Sequence, residues 1–242
     1  MGPLVLNTRP KTDSADLEAS LQTRGYRVLS APMLEIEFPA QTRPFDPTPY
    51  QALIFTSANG LRAFARLSQD RYQTALCVGD ATARLAADMG FNRIESANGD
   101  IHDLAALIRE RISPAMGPLF HPAARKTAGD LGEILRDGGY QIDRQTVYTA
   151  HASETLPQQI LDAITAHHID AVLFFSPRTA ETFVKLVKSY KLEGELTDTC
   201  AICLSPAVQL RTADLTWQRT HVASKPTQEY LLSILDQSFS SV

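Results

Sequence analysis

Long apolar runs are missing from this chain. No stretch approaches the roughly 18 consecutive apolar residues that cross a bilayer. The opening Met1-Gly-Pro-Leu-Val-Leu6 has no basic flank and only a short apolar run, so no membrane partner and no cleaved leader are expected. Cysteine is scarce as well: Cys77, Cys200 and Cys203 are all there is. An odd count at wide spacing excludes a disulfide scaffold and points to a reducing compartment, here the cytoplasm. Cys200 and Cys203 form a C-x-x-C, but inside the apolar run Thr199-Cys-Ala-Ile-Cys-Leu204. Three positions apart on a strand, two side chains point to opposite faces, so two buried thiols are expected and not a redox or metal pair. Positive charge is not in excess: 23 Lys and Arg stand against 27 Asp and Glu, for a net charge of −4, so nucleic acid is not the expected partner.

Motifs of the common catalytic machines are absent too. There is no G-x-x-x-x-G-K-[ST] and no G-x-G-x-x-G, which excludes the usual nucleotide cradles and argues against a nucleotide-dependent transferase. No G-x-S-x-G elbow makes a nucleophile of Ser57 or Ser176. The six histidines show no metal-ligand spacing. Neither a metal nor a cofactor is expected.

What the chain does contain is alternation. Short apolar strands are predicted at Leu4–Asn7, Arg27–Pro32, Ala52–Thr56, Thr74–Val78, Arg93–Ala97, Pro118–His121, Gln141–Tyr148, Ala171–Phe175, Thr199–Leu204 and Thr220–Ala223. Amphipathic helices are predicted near 12–24, 58–68, 80–89, 101–113, 126–137, 155–167, 177–189, 206–214 and 227–237. This pattern predicts an α/β protein with parallel sheets flanked by helices. Ser176-Pro177 and Ser205-Pro206 each read as an N-cap followed by proline in the first helical position. Asp80 and Asp100 are further N-cap candidates, and Gly25, Gly90 and Gly139 suit left-handed helix ends.

An internal repeat organises these elements. Ala75-Leu-Cys-Val-Gly-Asp-Ala81 matches Ala201-Ile-Cys-Leu-Ser-Pro-Ala207 at a shift of 126 residues, and Ala97–Leu104 matches Ala223–Tyr230 at the same shift. Phe55-Thr-Ser57…Phe64 matches Phe174…Ser176…Phe183, and Leu17…Leu21…Gly25-Tyr26 matches Leu131…Leu135…Gly139-Tyr140. Four pairs in the same order indicate a duplicated α/β unit, giving two similar lobes. A simple cut would fall near residue 115.

In open parallel sheets, ligands bind beyond the carboxyl ends of the strands, where helix N-termini present free N–H groups. Thr8, Arg9, Ser57, Asn59, Ser176 and Ser205 occupy such junctions, with Thr56 beside Ser57. Together they suit an anionic small molecule bound through hydroxyls and backbone amides, although each Ser or Thr alone reads equally well as a helix cap.

The chain resembles the uroporphyrinogen-III synthase family over nearly its whole length. The resemblance is carried by Thr8-Arg9-Pro10, Phe55-Thr-Ser-Ala-Asn-Gly60, Val78-Gly-Asp-Ala-Thr-Ala83, Gly99-Asp100 with Leu104, Asp130-Leu131…Leu135 with Gly139, Val147-Tyr148, and Phe174-Phe-Ser-Pro177. It implies a linear tetrapyrrole substrate, hydroxymethylbilane, bearing eight carboxylates. It also implies a lyase reaction without cofactor: the hydroxyl leaves, the terminal ring attacks through its substituted carbon, and a spiro intermediate reopens and closes with that ring inverted. Tyr148 falls where the family carries its most cited catalytic candidate, as the proton donor to the leaving hydroxyl; packing is the competing role for it. The implied domain arrangement is interleaved, with 1–36 and 151–242 in one lobe, 40–146 in the other, and a hinge of two crossings near 34–40 and 146–152. Four prolines between Pro39 and Pro49 suit a boundary. A monomer is expected. Two departures stand out: Ser205-Pro-Ala-Val208 replaces a Gly-x-Thr-Ala-like turn, and the basic residue after the strand at 118–121 has two candidates, Arg125 and Lys126. The alternative function is a non-catalytic two-lobed sensor of small molecules.

Overall fold

The computed structural model describes residues 2–39, 44–125 and 130–239. The chain forms two compact units, Met1–Glu35 with His151–Val242, and Ile36–Ala150. In the first unit, β1 (Leu4–Asn7), β2 (Arg27–Ser30), β9 (Ala171–Phe174), β10 (Cys200–Cys203) and β11 (Arg219–Val222) form a five-stranded sheet in the order β11-β10-β9-β1-β2. Its helices are α1 (Ala15–Thr23), α6 (Gln158–Thr165), α7 (Pro177–Ser189), α8 (Pro206–Gln209) and α9 (Gln228–Phe239). The second sheet has six strands: β3 (Leu34–Glu37), β8 (Ile142–Ala152), β7 (Leu119–Ala124), β4 (Ala52–Phe55), β5 (Thr74–Cys77) and β6 (Ile94–Ser96), in that spatial order. Helices α2 (Ala58–Leu67), α3 (Asp80–Asp88), α4 (Ile101–Arg111) and α5 (Leu131–Leu135) belong with it. The chain passes from one unit to the other on β3 and β8, which are neighbours in this sheet.

The duplication is visible as topology. Leaving β3 aside, the sheets read β2-β1-β9-β10-β11 and β8-β7-β4-β5-β6. In chain order the copies begin at β1 and at β7, so each copy contributes its opening strand–helix–strand to the sheet that holds the rest of the other copy. Neither sheet is therefore one copy by itself.

The central strands β4, β9 and β10, buried along their whole length, are apolar throughout. Alternate residues of β9 and β10 feed two different cores: Val172, Phe174, Ala201 and Cys203 pack in one, Ala171, Leu173, Cys200 and Ile202 in the other. Cys200 and Cys203 thus face opposite sides, and burial pushes the Cys203 thiol up to about 11 and raises that of Cys200. Cys77 is also buried, its thiol pushed up to about 12.

The structure corrects several sequence expectations. Residues 34–37 form a strand where only a crossing was expected. The strand expected to stop at His121 continues through Pro122 to Ala124. Proline is tolerated there because the β4 ladder has already ended at the Leu53–Phe120 pair, while β8 pairing continues to Ala124. The helix expected over 206–214 is a single turn, after which the Thr212 hydroxyl donates to the Gln209 carbonyl and the Trp217 Nε1–H to the Thr212 carbonyl. Gly79, not Asp80, is the N-cap of α3, and Asp80 accepts from the Ser96 hydroxyl at 2.7 Å. The helix expected over 126–137 is α5 followed by a 3-10 turn at Arg136–Gly138; its first part, 126–129, lies outside the described residues. Asp100 caps α4 in a reciprocal box with Asp103, and Gly25, Gly90 and Gly139 have φ of 85°, 91° and 74°. Among the described residues, no helix is long and apolar enough to cross a membrane, and no three His, Cys, Asp or Glu side chains gather as a metal site.

Candidate active site

In the second unit the site grows from the carboxyl end of β4. Its apolar run ends at Phe55, and Thr56-Ser57 carries the chain into α2. Ser57 is extended (φ −162°, ψ 156°), and its side chain accepts the Gly60 N–H at 3.1 Å, the usual remedy for an unsatisfied first-turn donor. Gly60 permits the first turn of α2 to lie directly on β7: a Cβ there would sit 2.6 Å from the Pro122 carbonyl oxygen.

From the other side comes β8. Its register against β7 runs His121 to Arg144 and Ala123 to Thr146, then slips by one residue so that Ala124 faces Tyr148. The extra residue, Val147, is a β-bulge. In a regular strand Val147 and Tyr148 would point to opposite faces; here both enter one apolar cluster with Ala63, Leu67 and Ala124. The bulge thereby aims the phenol toward α2, and the Tyr148 hydroxyl meets the Ser57 hydroxyl at 2.8 Å, where either oxygen can donate. Tyr148 is buried, 8% exposed, and its ring lies 6.3 Å from that of Phe38.

Polar neighbours extend this rim. His121, 3% exposed, lies 3.1 Å through Nε2 from the Thr56 hydroxyl. Burial first, and then the Arg144 guanidinium, push its pKa down to about 4, so it is neutral at physiological pH. Asn59 is buried, and its carbonyl oxygen accepts from Arg62 at 2.9 Å. The Arg144 guanidinium donates to the Ala124 carbonyl. Arg125 is exposed, and its backbone N–H donates to the Tyr148 carbonyl at 3.2 Å. Lys126 lies outside the described residues.

The first unit carries its own rim. Thr8 has no exposed surface, and its hydroxyl donates to the Leu173 carbonyl at 2.6 Å. That hydroxyl is spent on joining β1 to β9, so Thr8 fixes the turn that carries Arg9. The Arg9 guanidinium lies 4.5 Å from the Phe175 ring centroid and donates to the Gln228 side-chain oxygen at 2.7 Å. Ser176 caps α7 by accepting the Thr179 N–H at 3.2 Å, and its hydroxyl lies 3.1 Å from that of Thr179. Ser205 has the same extended backbone before α8 (φ −156°, ψ 165°), but its side chain makes no capping bond. Gly79 (φ −156°, ψ 167°) holds the matching place before α3, as the repeat requires.

Of the sequence-predicted residues, the structure brings Ser57 and Tyr148 into contact, with Asn59 in the next turn of chain. Thr8 and Arg9 sit beside the β9–α7 junction that holds Phe175 and Ser176. Sequence reasoning missed His121, which appeared as one histidine at the end of a predicted strand. It also missed the bulge, which leaves no signature in the Val147-Tyr148 pair. Chemically, a buried phenol hydrogen-bonded to the hydroxyl of a helix-capping serine is a group able to donate or accept a proton at the end of a parallel sheet.

Comparison with known proteins bears on what this arrangement serves. A profile of the family described as uroporphyrinogen-III synthase HemD matches residues 15–233. A uroporphyrinogen-III synthase from Synechococcus elongatus is 24% identical over 203 residues, covering 78% of this chain and 76% of that one. Among solved structures, the uroporphyrinogen-III synthetase of Helicobacter pylori superposes with a TM-score of 0.61 at 18% identity, covering 98% of this chain and 100% of that chain. A mutant uroporphyrinogen III synthase from the extremely thermophilic bacterium Thermus thermophilus gives 0.56 at 13% identity, with both chains fully covered. At these identities the two structures establish the fold.

Proposed function

The chain belongs to the uroporphyrinogen-III synthase family, and from that premise we propose that Tyr148, set by Ser57, is the proton donor for dehydration and ring closure of hydroxymethylbilane. The activity is that of a cyclising lyase in tetrapyrrole biosynthesis, and the sensor alternative is not favoured by the family match. The observation that carries the residue assignment is the 2.8 Å contact between two hydroxyls at the carboxyl end of a parallel sheet.

The chemistry follows from that contact. The Gly60 N–H occupies one lone pair of the Ser57 oxygen, leaving the serine proton to be donated to the phenol oxygen. Tyr148 then gives its own proton to the substrate hydroxyl as the carbon–oxygen bond breaks and water leaves. The phenolate so formed is stabilised by the serine proton. It recovers a proton when the ring carbon that has formed the new bond loses its hydrogen and the pyrrole regains aromaticity. Proton count is conserved over the cycle, and no redox change is required.

Arg9, Ser57, Asn59, Ser176 and Ser205 are the proposed substrate contacts, with Thr8 holding the Arg9 turn. Much of the binding is assigned to backbone N–H groups of α2, α7 and α8, in keeping with a polyanionic ligand. Because the bilane also closes unaided, to the non-inverted isomer, the enzyme must hold conformation as well as transfer protons. Incubation of the protein with freshly generated hydroxymethylbilane, scored as the ring-inverted isomer (type III) against the non-inverted isomer (type I), tests the assignment: type III is expected, and unchanged type I formation refutes it. A monomer in the cytoplasm is part of the same proposal. Light scattering at 26.6 kDa and cell fractionation test it.

A further inference from the structure

Some arginines of this protein take acidic partners, while others, such as Arg27, Arg71 and Arg109, are held by backbone carbonyls. Arg24 pairs with Asp236, Arg111 with Glu95 and Arg136 with Glu133. Two that are held without an acidic partner among the described residues, Arg66 and Arg144, are anchored on residues that pack on or face Tyr148. Arg66 lies with its guanidinium 5.0 Å from the ring centroid of Phe38, and Phe38 packs on the Tyr148 ring. Arg144 donates through Nη2 to the carbonyl of Ala124, 2.5 Å away, and Ala124 is the residue registered against Tyr148. Among the described residues, neither guanidinium is ion-paired with a carboxylate. Both residues are exposed. Arg144 lies near the start of β8, at the level of His121, yet its side chain runs toward the carboxyl end of the sheet to reach Ala124.

A ring face and a backbone carbonyl are anchors that fix a guanidinium without neutralising it. The fork keeps most of its five N–H donors for a planar anion, and a group already held loses less freedom on binding than a loose lysine does. We propose that Arg66 and Arg144 are a carboxylate-binding pair flanking Tyr148, each holding a carboxylate of the tetrapyrrole so that the reacting bridge lies against the phenol. This deepens the reading of the site given above and rests on it. A charged hydrogen bond from each guanidinium to a carboxylate suits a polycarboxylate ligand.

The test is direct binding of the octacarboxylate ring product to the folded protein, followed by fluorescence and independent of turnover. Arg66→Gln and Arg144→Gln are each expected to weaken binding about 10-fold, and the double variant about 100-fold if the two act independently. Arg136→Gln, which removes the same charge from a pair already facing Glu133, is the control and is expected within about 2-fold of wild type. Circular dichroism establishes that each variant is folded, and Arg→Lys at both positions should recover part of the loss. A double variant that binds within about 2-fold of wild type, or no more weakly than the Arg136 control, overturns the proposal. Failure of the wild-type protein to form isomer III while binding still depends on both arginines would instead overturn the assigned reaction and leave the carboxylate pair standing.

Discussion

Replacing Tyr148 by Phe removes one oxygen and leaves the ring in its cluster with Val147, Ala63 and Leu67. The structural cost is correspondingly small. One hydrogen bond to Ser57 is lost, worth about 1 kcal/mol, while Ser57 keeps its bond from the Gly60 N–H and is not orphaned. Thermal unfolding should move down by only about 2–4 °C. The functional cost is of a different kind. A positioned general acid contributes about 10²–10⁴ in rate. The lower end applies here, because the leaving hydroxyl is on a carbon activated by a pyrrole nitrogen and bound water can substitute for the phenol. A loss of about 10²-fold in kcat is therefore expected, with type III still the main product. A shift toward type I would instead assign the hydroxyl to holding the folded bilane. Turnover and isomer ratio measured together on the same sample decide between these roles. If Tyr148→Phe converts bilane at the wild-type rate with the wild-type ratio, the hydroxyl has no catalytic part and the residue serves packing alone.

Gly60→Ala trades about 1 kcal/mol of helix propensity against a Cβ only 2.6 Å from the Pro122 carbonyl oxygen, and the clash wins because backbone cannot move aside cheaply. A net loss of about 1–2 kcal/mol in urea unfolding is expected, with a fall in turnover as Ser57 shifts from Tyr148; a stabilised variant would contradict the close approach. His121, at a pKa of about 4 in the fold against about 6.5 unfolded, binds its proton more readily in the unfolded chain. Its contribution is fully present above pH 6.5 and is lost as pH falls toward 4, by at most about 3 kcal/mol. His121→Gln should flatten the stability profile in that window, and an unchanged profile would deny the depressed pKa. Ser176→Ala should cost about 1 kcal/mol as a lost N-cap, whereas Ser205→Ala, with no capping bond to lose, should stay within about 0.5 kcal/mol; equal losses in chemical denaturation would contradict this difference.

Several features of the fold were legible residue by residue. Apolar runs such as Ala-Leu-Ile-Phe at 52–55 have no use except between two layers of helices, and Ser-Pro at 176–177 has the chemistry of a helix start. Asp100 and Asp103, three apart, complete a capping box that needs no tertiary help. The helix after Ser205 was overestimated because Thr212 and Trp217 end it through contacts beyond the reach of helical periodicity. The strand through Pro122 was cut short because proline is permitted only where a neighbouring ladder happens to stop, a fact of sheet order and not of local sequence.

By itself the sequence determined the α/β class, the duplication, the caps at Asp100 and Ser176 and the residue types at each strand-to-helix junction, because these follow from periodicity, backbone preference and short-range hydrogen bonding. Tertiary structure decided which junction residues remain available for chemistry. Thr8 and Ser57 look alike in sequence, both polar and both just past a strand. Pairing of β1 with β9 consumes the hydroxyl of Thr8, while the slip of β8 against β7 brings a phenol to the hydroxyl of Ser57. A one-residue bulge changes which face a side chain takes, and register is set by contacts between strands far apart in the chain, so the position of Tyr148 could be settled only by the assembled sheet.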